Sequence, residues 1–588
     1  MSAGIPGIAV LRSYRLRWLP KDTVAGLILT ALLVPQGMAY AELAGLPAIT
    51  GLYTSILCLT GYALFGPSKI LVLGPDSALG PMIAATILPL VGAQGDPSRA
   101  VALASMLALL VGAMTVLAGV AHLGFVADLL SKPTMIGYMN GLALTIVVGQ
   151  LPKLLGFSVE GDNFIAELRG FIEGVLNGEV VPAALAVGLF GLAVIVACQR
   201  WWAKVPGVLV AVVASIVAAR VFDLASHGVS LVGTLPQGFP PFTIPDVSWS
   251  DIGLLVGGAA GIAVVSLADT ISTATSFAAR SGQDVDGSRE MIGIGAANIG
   301  AGLFQGFPVS TSGSRTAVAE QAGAKTQVTG LVGALAIIVI LLLVPGLLRN
   351  LPQPTLAAVV IAAAVSLADI PATSRLFRQR RVEFSLSIVA FLGVALLGVL
   401  PGIAIAVALS VANVFRRLWW PYQTTLGRVA GVAGYHDTRT HPEAVQLSGC
   451  VLCRFDAPLI FANARAFREA IRALAESEPP PQWIIVAAEP ITDVDTTAAD
   501  MLEDLDEALN AQGISLVFAE LKDPVRQKIE RYGLTRTIDP AHFFPTVEDA
   551  VAAFSAQQRK APPSRQGRQH EKPPVAPYTG TEDPPMAG

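Results

Sequence analysis

Between Phe304 and Gln321 the chain reads F-Q-G-F-P-V-S-T-S-G-S-R-T-A-V-A-E-Q. Long apolar runs flank this stretch, yet it holds Pro308, a run of hydroxyls, Gly313 and Arg315. An arginine among membrane segments costs roughly 2.5–3.5 kcal/mol on insertion scales, so a chain keeps one where it faces a polar cavity or a counter-charge. Pro308 lacks an N–H and disfavours helix just before it. The spacing therefore predicts a helix that starts after it, with Ser310 and Thr311 as caps. Unpaired N–H groups at such a start, with the positive end of the helix dipole, form an anion seat at membrane depth.

A second stretch has the same grammar. Leu71-Val-Leu-Gly-Pro75 is followed by Asp76-Ser77-Ala78, again an extended piece, a proline and a polar helix start. Asp76 suits a helix cap but would repel an incoming anion, so it is read as protonated, as facing Arg315, or as a second proton carrier. Gln36 and Tyr40 are four apart and share a helix face, where an amide and a phenol can donate to an oxyanion or simply pack between helices. Glu42 falls on another face near the external end and reads as interfacial. Asp269 lies in Ser266-Leu-Ala-Asp-Thr-Ile-Ser-Thr273, flanked by apolar turns, with Thr273 one turn on. A carboxylate with hydroxyl and carbonyl neighbours suits Na⁺, a desolvated carboxyl suits H⁺, and a buried pair with Arg315 is the structural alternative.

These residues need a membrane scaffold, and the composition supplies one. The 588 residues are 53% hydrophobic and 14% charged, with a formal net charge of −4 and a mean hydropathy of +0.61; soluble domains carry about 25% charged residues. We read fourteen segments, near 22–42, 47–66, 75–92, 97–121, 124–151, 180–200 and 204–222, then 251–277, 286–304, 311–322, 326–348, 354–369, 374–400 and 402–419. An odd number per half inverts the second repeat, so the two short broken segments, the third and the tenth, are expected to meet start to start. Arg12, Arg15, Arg17 and Lys21, Lys69, Arg200, Lys204, Arg280, Arg289, Lys325, the Arg375–Arg381 cluster and Arg416–Arg417 fall on one side, which the positive-inside rule makes cytoplasmic. Both termini follow, and the acid-rich loop 159–179 lies opposite. The basic leader has no A-x-A cleavage pattern.

After Pro421 the pattern changes. Strands at Val445–Phe455, Trp483–Glu489 and Ser515–Glu520 alternate with helices at Ala464–Glu476, Ala498–Gln512 and Pro524–Tyr532, which argues for a small α/β domain with a largely parallel sheet. The domain bounds expected are a leader at 1–21, a transport region at 22–420, the α/β domain at 435–555 and a disordered tail at 556–588. Thr497 and Asp500 have capping-box spacing, and phosphorylation of Thr496 or Thr497 would put charge at a helix start. Cys450 and Cys453 sit on opposite strand faces and are not expected to bind metal. No metal cluster, phosphate loop or nucleophile elbow is apparent, so no enzyme activity, cofactor or nucleic-acid partner is expected.

The motifs P-Q-G-M-A-Y-A-E-L-A-G-L-P at 35–47, G-L-Y at 51–53, F-G-P-S-K at 65–69, G-P-D-S-A at 74–78 and G-F-P-V-S-T-S-G-S-R-T-A-V at 306–318 resemble the SulP (sulfate permease) family of anion transporters. P-L-I-F-A-N-A at 458–464 and D-V-D-T-T at 493–497 resemble its STAS domain. The resemblance runs to about residue 555. It implies two inverted seven-helix repeats divided into core and gate, a homodimer, and an elevator-like motion. It implies anion contacts from Gln36, Tyr40, Ser77, Ala78, Ser312, Ser314 and Arg315, with Asp76 and Thr311 beside them, and cation coupling at Asp269 and Thr273. Two departures stand out: Na⁺-dependent bicarbonate relatives lack the arginine found here as Arg315, and many relatives have an uncharged residue in place of Asp76. The expected function is cation symport of an oxyanion, foremost sulfate with H⁺, in the cell membrane among lipids. The alternatives are Na⁺–bicarbonate symport, dicarboxylate transport, or an anion sensor acting through a cytosolic partner of the STAS domain.

Overall fold

The computed structural model describes residues 6–92, 95–124, 131–159, 164–202, 205–281, 285–343 and 345–560. Residues 556–560 of the tail expected to be disordered are helical, and the rest of it lies outside the described residues, as do residues 1–5 of the leader and Lys204. The chain divides into two compact units, residues 1–412 and 413–588.

The first unit is helical. The fourteen segments appear as α1 (Leu19–Leu43), α2 (Ala48–Phe65), α3 (Gly80–Val91), α4 (Pro97–Val120), α5 (Lys132–Leu155), α6 (Pro182–Trp201) and α7 (Gly207–Val221), then α8 (Trp249–Ser281), α9 (Gly287–Leu303), α10 (Gly313–Gln321), α11 (Val328–Leu343), α12 (Gln353–Leu367), α13 (Arg381–Leu397) and α14 (Val399–Trp419). Eight helices among the described residues are long and apolar enough to cross a membrane, and α3, α7 and α11 are shorter apolar helices. Prolines in the first turns of α3, α4, α5, α6 and α12 cost no hydrogen bond there. Asp96 caps α4 and Asp286 caps α9. The stretch read as a loop at 159–179 contains a helix, Phe164–Leu176.

Packing separates the helices into two groups. In one, α9 lies on α4 and α2, α11 on α1 and α2, and α8 on α4. In the other, α13 and α12 lie on α5, and α6 lies on α12 and α7. The pairs come in matched sets: α1 on α11 answers α8 on α4, and α5 on α13 answers α12 on α6. This is the signature of two seven-helix repeats related by a two-fold axis, giving a core (α1–α4, α8–α11) and a gate (α5–α7, α12–α14). The tightest crossings need glycine. A Cβ on Gly51 would stand 1.9 Å from the Gly37 carbonyl oxygen where α2 crosses α1. One on Gly137 would stand 1.9 Å from the Ser387 oxygen where α5 crosses α13.

The second unit holds a six-stranded sheet. Its strands are β3 (Gln423–Gly427), β4 (His436–Asp437), β5 (Cys450–Phe455), β6 (Trp483–Ala487), β7 (Ser515–Ala519) and β8 (Phe543–Phe544), in the order β4-β3-β5-β6-β7-β8. Strands β5 to β8 are parallel, and β3 and β4 are antiparallel. β3 lies before the boundary at 435 read from the sequence, because five residues after Pro421 carry too little pattern to show as a strand. α15 (Ala464–Ala475), α16 (Thr496–Asn510) and α17 (Asp523–Tyr532) cover one face, with Phe467, Ile471, Leu502, Leu505 and Ile529 in the core. α18 (Val547–Lys560) covers the other with Val551 and Phe554. Cys453 belongs to the first core and Cys450 to the second, so the two do stand on opposite faces. The capping-box reading of α16 is corrected: Asp495 is the cap and accepts from the Ala498 N–H at 2.8 Å, which leaves Thr496 and Thr497 exposed in the first turn.

Asp506 of α16 is buried, its Oδ2 accepting from Asn510 Nδ2 at 2.9 Å. Burial pushes its carboxyl up to about 6. The folded state therefore prefers the protonated form, and the domain loses stability as pH rises from about 4 through 6. Asp506→Asn is expected to remove that loss. It should raise stability by about 1 kcal/mol at pH 8 and by nothing at pH 4, read from melting curves at the two pH values.

Candidate functional site

The site is built on a crossing of two short strands. β1 (Leu73–Gly74) pairs antiparallel with β2 (Ser310–Thr311), Leu73 opposite Thr311 and Gly74 opposite Ser310. Antiparallel strands leave their crossing in opposite directions, so the helices that follow, α3 and α10, point their starts toward the same place. With 12 and 9 residues these helices are about 18 and 14 Å long at ~1.5 Å per residue, too short for a core of about 30 Å.

The pairing corrects the cap expected from the sequence. Ser310 and Thr311 are held in the strand, so α10 starts later, and Ser312 caps it by accepting from the Arg315 N–H at 3.4 Å. The N–H groups of Gly313 and Ser314 come first in the helix and have no acceptor within it. On the other side, Asp76 Oδ1 accepts from the Ala78 N–H at 2.9 Å, and the Asp76 carbonyl accepts from the Gly80 N–H at 3.2 Å.

Arg315 is 1% exposed. Its Nη1 donates to the Pro75 carbonyl at 2.7 Å, across the crossing. Its Nη2 lies 3.8 Å from Asp76 Oδ2, and neither Nη2 nor Nε has a hydrogen-bond partner among the described residues. The counter-charge nearest this guanidinium is therefore Asp76, and the pairing with Asp269 offered by the sequence is replaced by it.

A cavity of about 940 Å³ opens in front of the crossing. Gln36, Tyr40, Asp76, Ser77, Asp269, Thr311, Ser312, Ser314 and Arg315 all line it. Two residues named from the sequence stand back from the wall. Ala78 is buried and contributes its capped N–H. Thr273 Oγ1 lies 3.9 Å from where a Cβ on Gly313 would stand, so it abuts the start of α10. The Asp269 carboxyl is within hydrogen-bonding reach of the Ser310 hydroxyl, and Ser266 Oγ donates to the Val309 carbonyl at 3.0 Å, so α8 holds β2 in place. Donors, a half-helix start and a buried guanidinium suit a small anion, and the two carboxyls place ionisable groups beside it.

Asn298 of α9, buried in the core, escaped the sequence reading. Its Oδ1 accepts from the Val309 N–H at 2.9 Å and its Nδ2 donates to the Ile294 carbonyl at 3.0 Å, fixing the strand from behind. Asn298→Leu leaves the Val309 N–H unpaired at a cost of about 1–3 kcal/mol. It is expected to lower anion uptake roughly tenfold in protein that still elutes as a folded species. Asp22 of α1 was also missed. It is fully buried and accepts from the N–H groups of Lys325 and Thr326, the hydroxyls of Thr326 and Thr329, and the Tyr14 phenol. It thereby ties α1 to the turn between α10 and α11. Glu42 lines a second cavity of about 640 Å³ with Lys153, Gln305 and Gln353.

Residues 19–390 match the model of the sulfate permease family, and residues 441–550 match that of the STAS domain. The chain belongs to the sulfate permease family. It is similar to a probable sulfate transporter of Mycobacterium tuberculosis, 41% identical over 555 residues that cover 94% of this chain and 98% of that one. It is also similar to sulfate transporter 1.3 of Arabidopsis thaliana, 29% identical over 92% of this chain and 86% of that one. Among solved structures, the murine solute carrier 26 family member A9, an anion transporter in the inward-facing state, superposes with a TM-score of 0.85 at 25% identity, over 94% of each chain. The transmembrane domain of the cyanobacterial bicarbonate transporter BicA superposes with a TM-score of 0.58 at 20% identity, over 68% of this chain and 98% of that one. The family consists of transporters, and this chain is a multi-pass membrane anion transporter with a C-terminal STAS domain, not an enzyme.

Proposed function

We propose that this transporter carries sulfate, or a dianion of the same kind, across the cell membrane by H⁺ symport. The observation that supports the reading most is the antiparallel crossing of β1 and β2, which turns two half-helix starts and Arg315 toward one polar cavity. Amide donors and a positive helix end favour an oxyanion there without a bound metal. The 41% identical mycobacterial relative is named a probable sulfate transporter, which favours sulfate over bicarbonate or a dicarboxylate.

The cavity is also lined by Gln199, Val205, Gln321, Ser366 and Leu367, beside Arg200 and Lys325 at the basic ends of the helices. By the positive-inside rule these ends are cytoplasmic, as are both termini, and the cavity faces inward. Core and gate form two packing groups that meet where α12 and α7 lie on α1, a basis for an elevator-like movement of the seat past α5 and α12. Asp269, with Thr273 behind it, takes the coupling cation. We further read the carrier as a homodimer. Thr496 and Thr497, exposed at the start of α16, are candidate phosphorylation sites through which a cytosolic partner would act on the STAS domain.

The test is uptake of radiolabelled sulfate by the purified chain in liposomes, with H⁺ and Na⁺ gradients imposed separately and bicarbonate and fumarate as competitors. An acidic exterior is expected to drive uphill sulfate uptake that a Na⁺ gradient does not. Uptake of bicarbonate that needs Na⁺ and ignores pH would overturn the reading.

A further inference from the structure

Three residues among those lining the anion cavity are charged: Arg315, Asp76 and Asp269. With both acids ionised, one guanidinium against two carboxylates leaves the empty seat at a net −1. A dianion added to that seat would bring it to −3, in a region where each uncompensated charge is costly. Protonation of Asp269 alone leaves the loaded seat at −2. Protonation of both acids returns it to −1, the charge of the empty seat.

The geometry makes Asp76 able to take that proton. Its Oδ1 is held by the Ala78 N–H, while Oδ2 faces Arg315 Nη2 at 3.8 Å, beyond hydrogen-bonding distance. The carboxyl touches the cavity, its side chain 13% exposed, so water and anion both reach it. It is faced by Arg315 from α10, by Asp269 from α8, and by the Tyr40 phenol from α1, with Ser77 beside it. The carboxylate holds the Ala78 N–H, in the turn that leads into α3, and lies against the guanidinium, two donors an incoming oxyanion would use. An anion arriving there competes with Asp76, and a proton on Asp76 relieves the competition.

We propose that Asp76 is a second proton-carrying carboxyl of the seat, so that each dianion crosses with two protons and no net charge. The proposal rests on the reading of the chain as a proton-coupled anion carrier and adds the stoichiometry to it. The loaded and empty carriers then move the same charge across the membrane in opposite directions, so the cycle is insensitive to membrane potential.

The experiment is steady-state accumulation of radiolabelled sulfate in liposomes holding the full chain, with the pH gradient set and the potential clamped by potassium and valinomycin. Two protons give about 100-fold accumulation per pH unit, against about tenfold for one. The wild type is expected to show the steeper slope and no response to potential. Asp76→Asn is expected to show about tenfold per pH unit and to become electrogenic, accumulation changing roughly 50-fold per 100 mV. A wild-type slope of tenfold that responds to potential, or an Asp76→Asn slope still near 100-fold, overturns the proposal and leaves proton-coupled transport standing. If Asp76→Asn fails to fold, the wild-type slope and its potential dependence decide alone. Sulfate uptake that follows Na⁺ and ignores pH, or no sulfate uptake at all, removes the proton-coupled reading and this proposal with it.

Discussion

Arg315→Ala is expected to cut sulfate uptake by more than about a hundredfold, the equivalent of roughly 3 kcal/mol lost from the anion-bound state. The substitution removes the positive charge at the seat, the donor to the Pro75 carbonyl, and the counter-ion of Asp76. Truncating one partner of a buried charge pair strands the other, and part of the loss therefore comes from an unbalanced Asp76. The double variant Arg315→Ala, Asp76→Asn separates the two effects. It is expected to recover the amount of folded protein while sulfate uptake stays low. Arg315→Lys keeps the charge but not the rigid fork that reaches Pro75, and is expected to fall between wild type and alanine. Uptake at the wild-type rate by Arg315→Ala would show that the guanidinium only braces the crossing.

Asp269→Asn is expected to lose about tenfold of its proton-driven accumulation for every unit of imposed pH gradient, the contribution of one coupled proton. Exchange of labelled for unlabelled sulfate, which needs no gradient, is expected to fall far less. The carboxyl lines the same cavity as Arg315, within reach of Ser310, which is where the proposed coupling would bring a proton and the anion close together. Comparing accumulation with exchange in the same vesicles separates lost coupling from lost binding. Unchanged dependence on the pH gradient would move the coupling to another group.

Much of this seat could be read from local spacing. Two prolines followed by polar residues marked the broken helices, and the four-residue interval from Gln36 to Tyr40 put both on the cavity wall. Arg315 declared itself by being a cation among apolar segments. What stayed hidden depends on partners distant in sequence. The pairing of Ser310 and Thr311 with Gly74 and Leu73 moved the cap of α10 to Ser312, and no local propensity encodes a strand pair more than two hundred residues apart. Asn298 lies in a glycine-rich helix with nothing in its own neighbourhood to signal the bond it accepts from the Val309 N–H. Asp22 stands at the first position of the first segment and nothing beside it in sequence marks it, because its five donors come from Tyr14, the turn after α10 and the first turn of α11. In the STAS domain the local signal misled in a smaller way: Asp495 and Thr497 both fit a helix start, and the hydrogen bond to Ala498 favours Asp495.

The position of a bound oxyanion tests the crossed-helix seat most directly. Selenate is a close analogue of sulfate and can be located by its anomalous scattering in crystals of the full chain. A seat built on two half-helix starts predicts one peak between Ser77 and Ser314, within about 3 Å of their donors. A peak instead in the cavity lined by Glu42 and Lys153, with the space between α3 and α10 left without selenate, would contradict it.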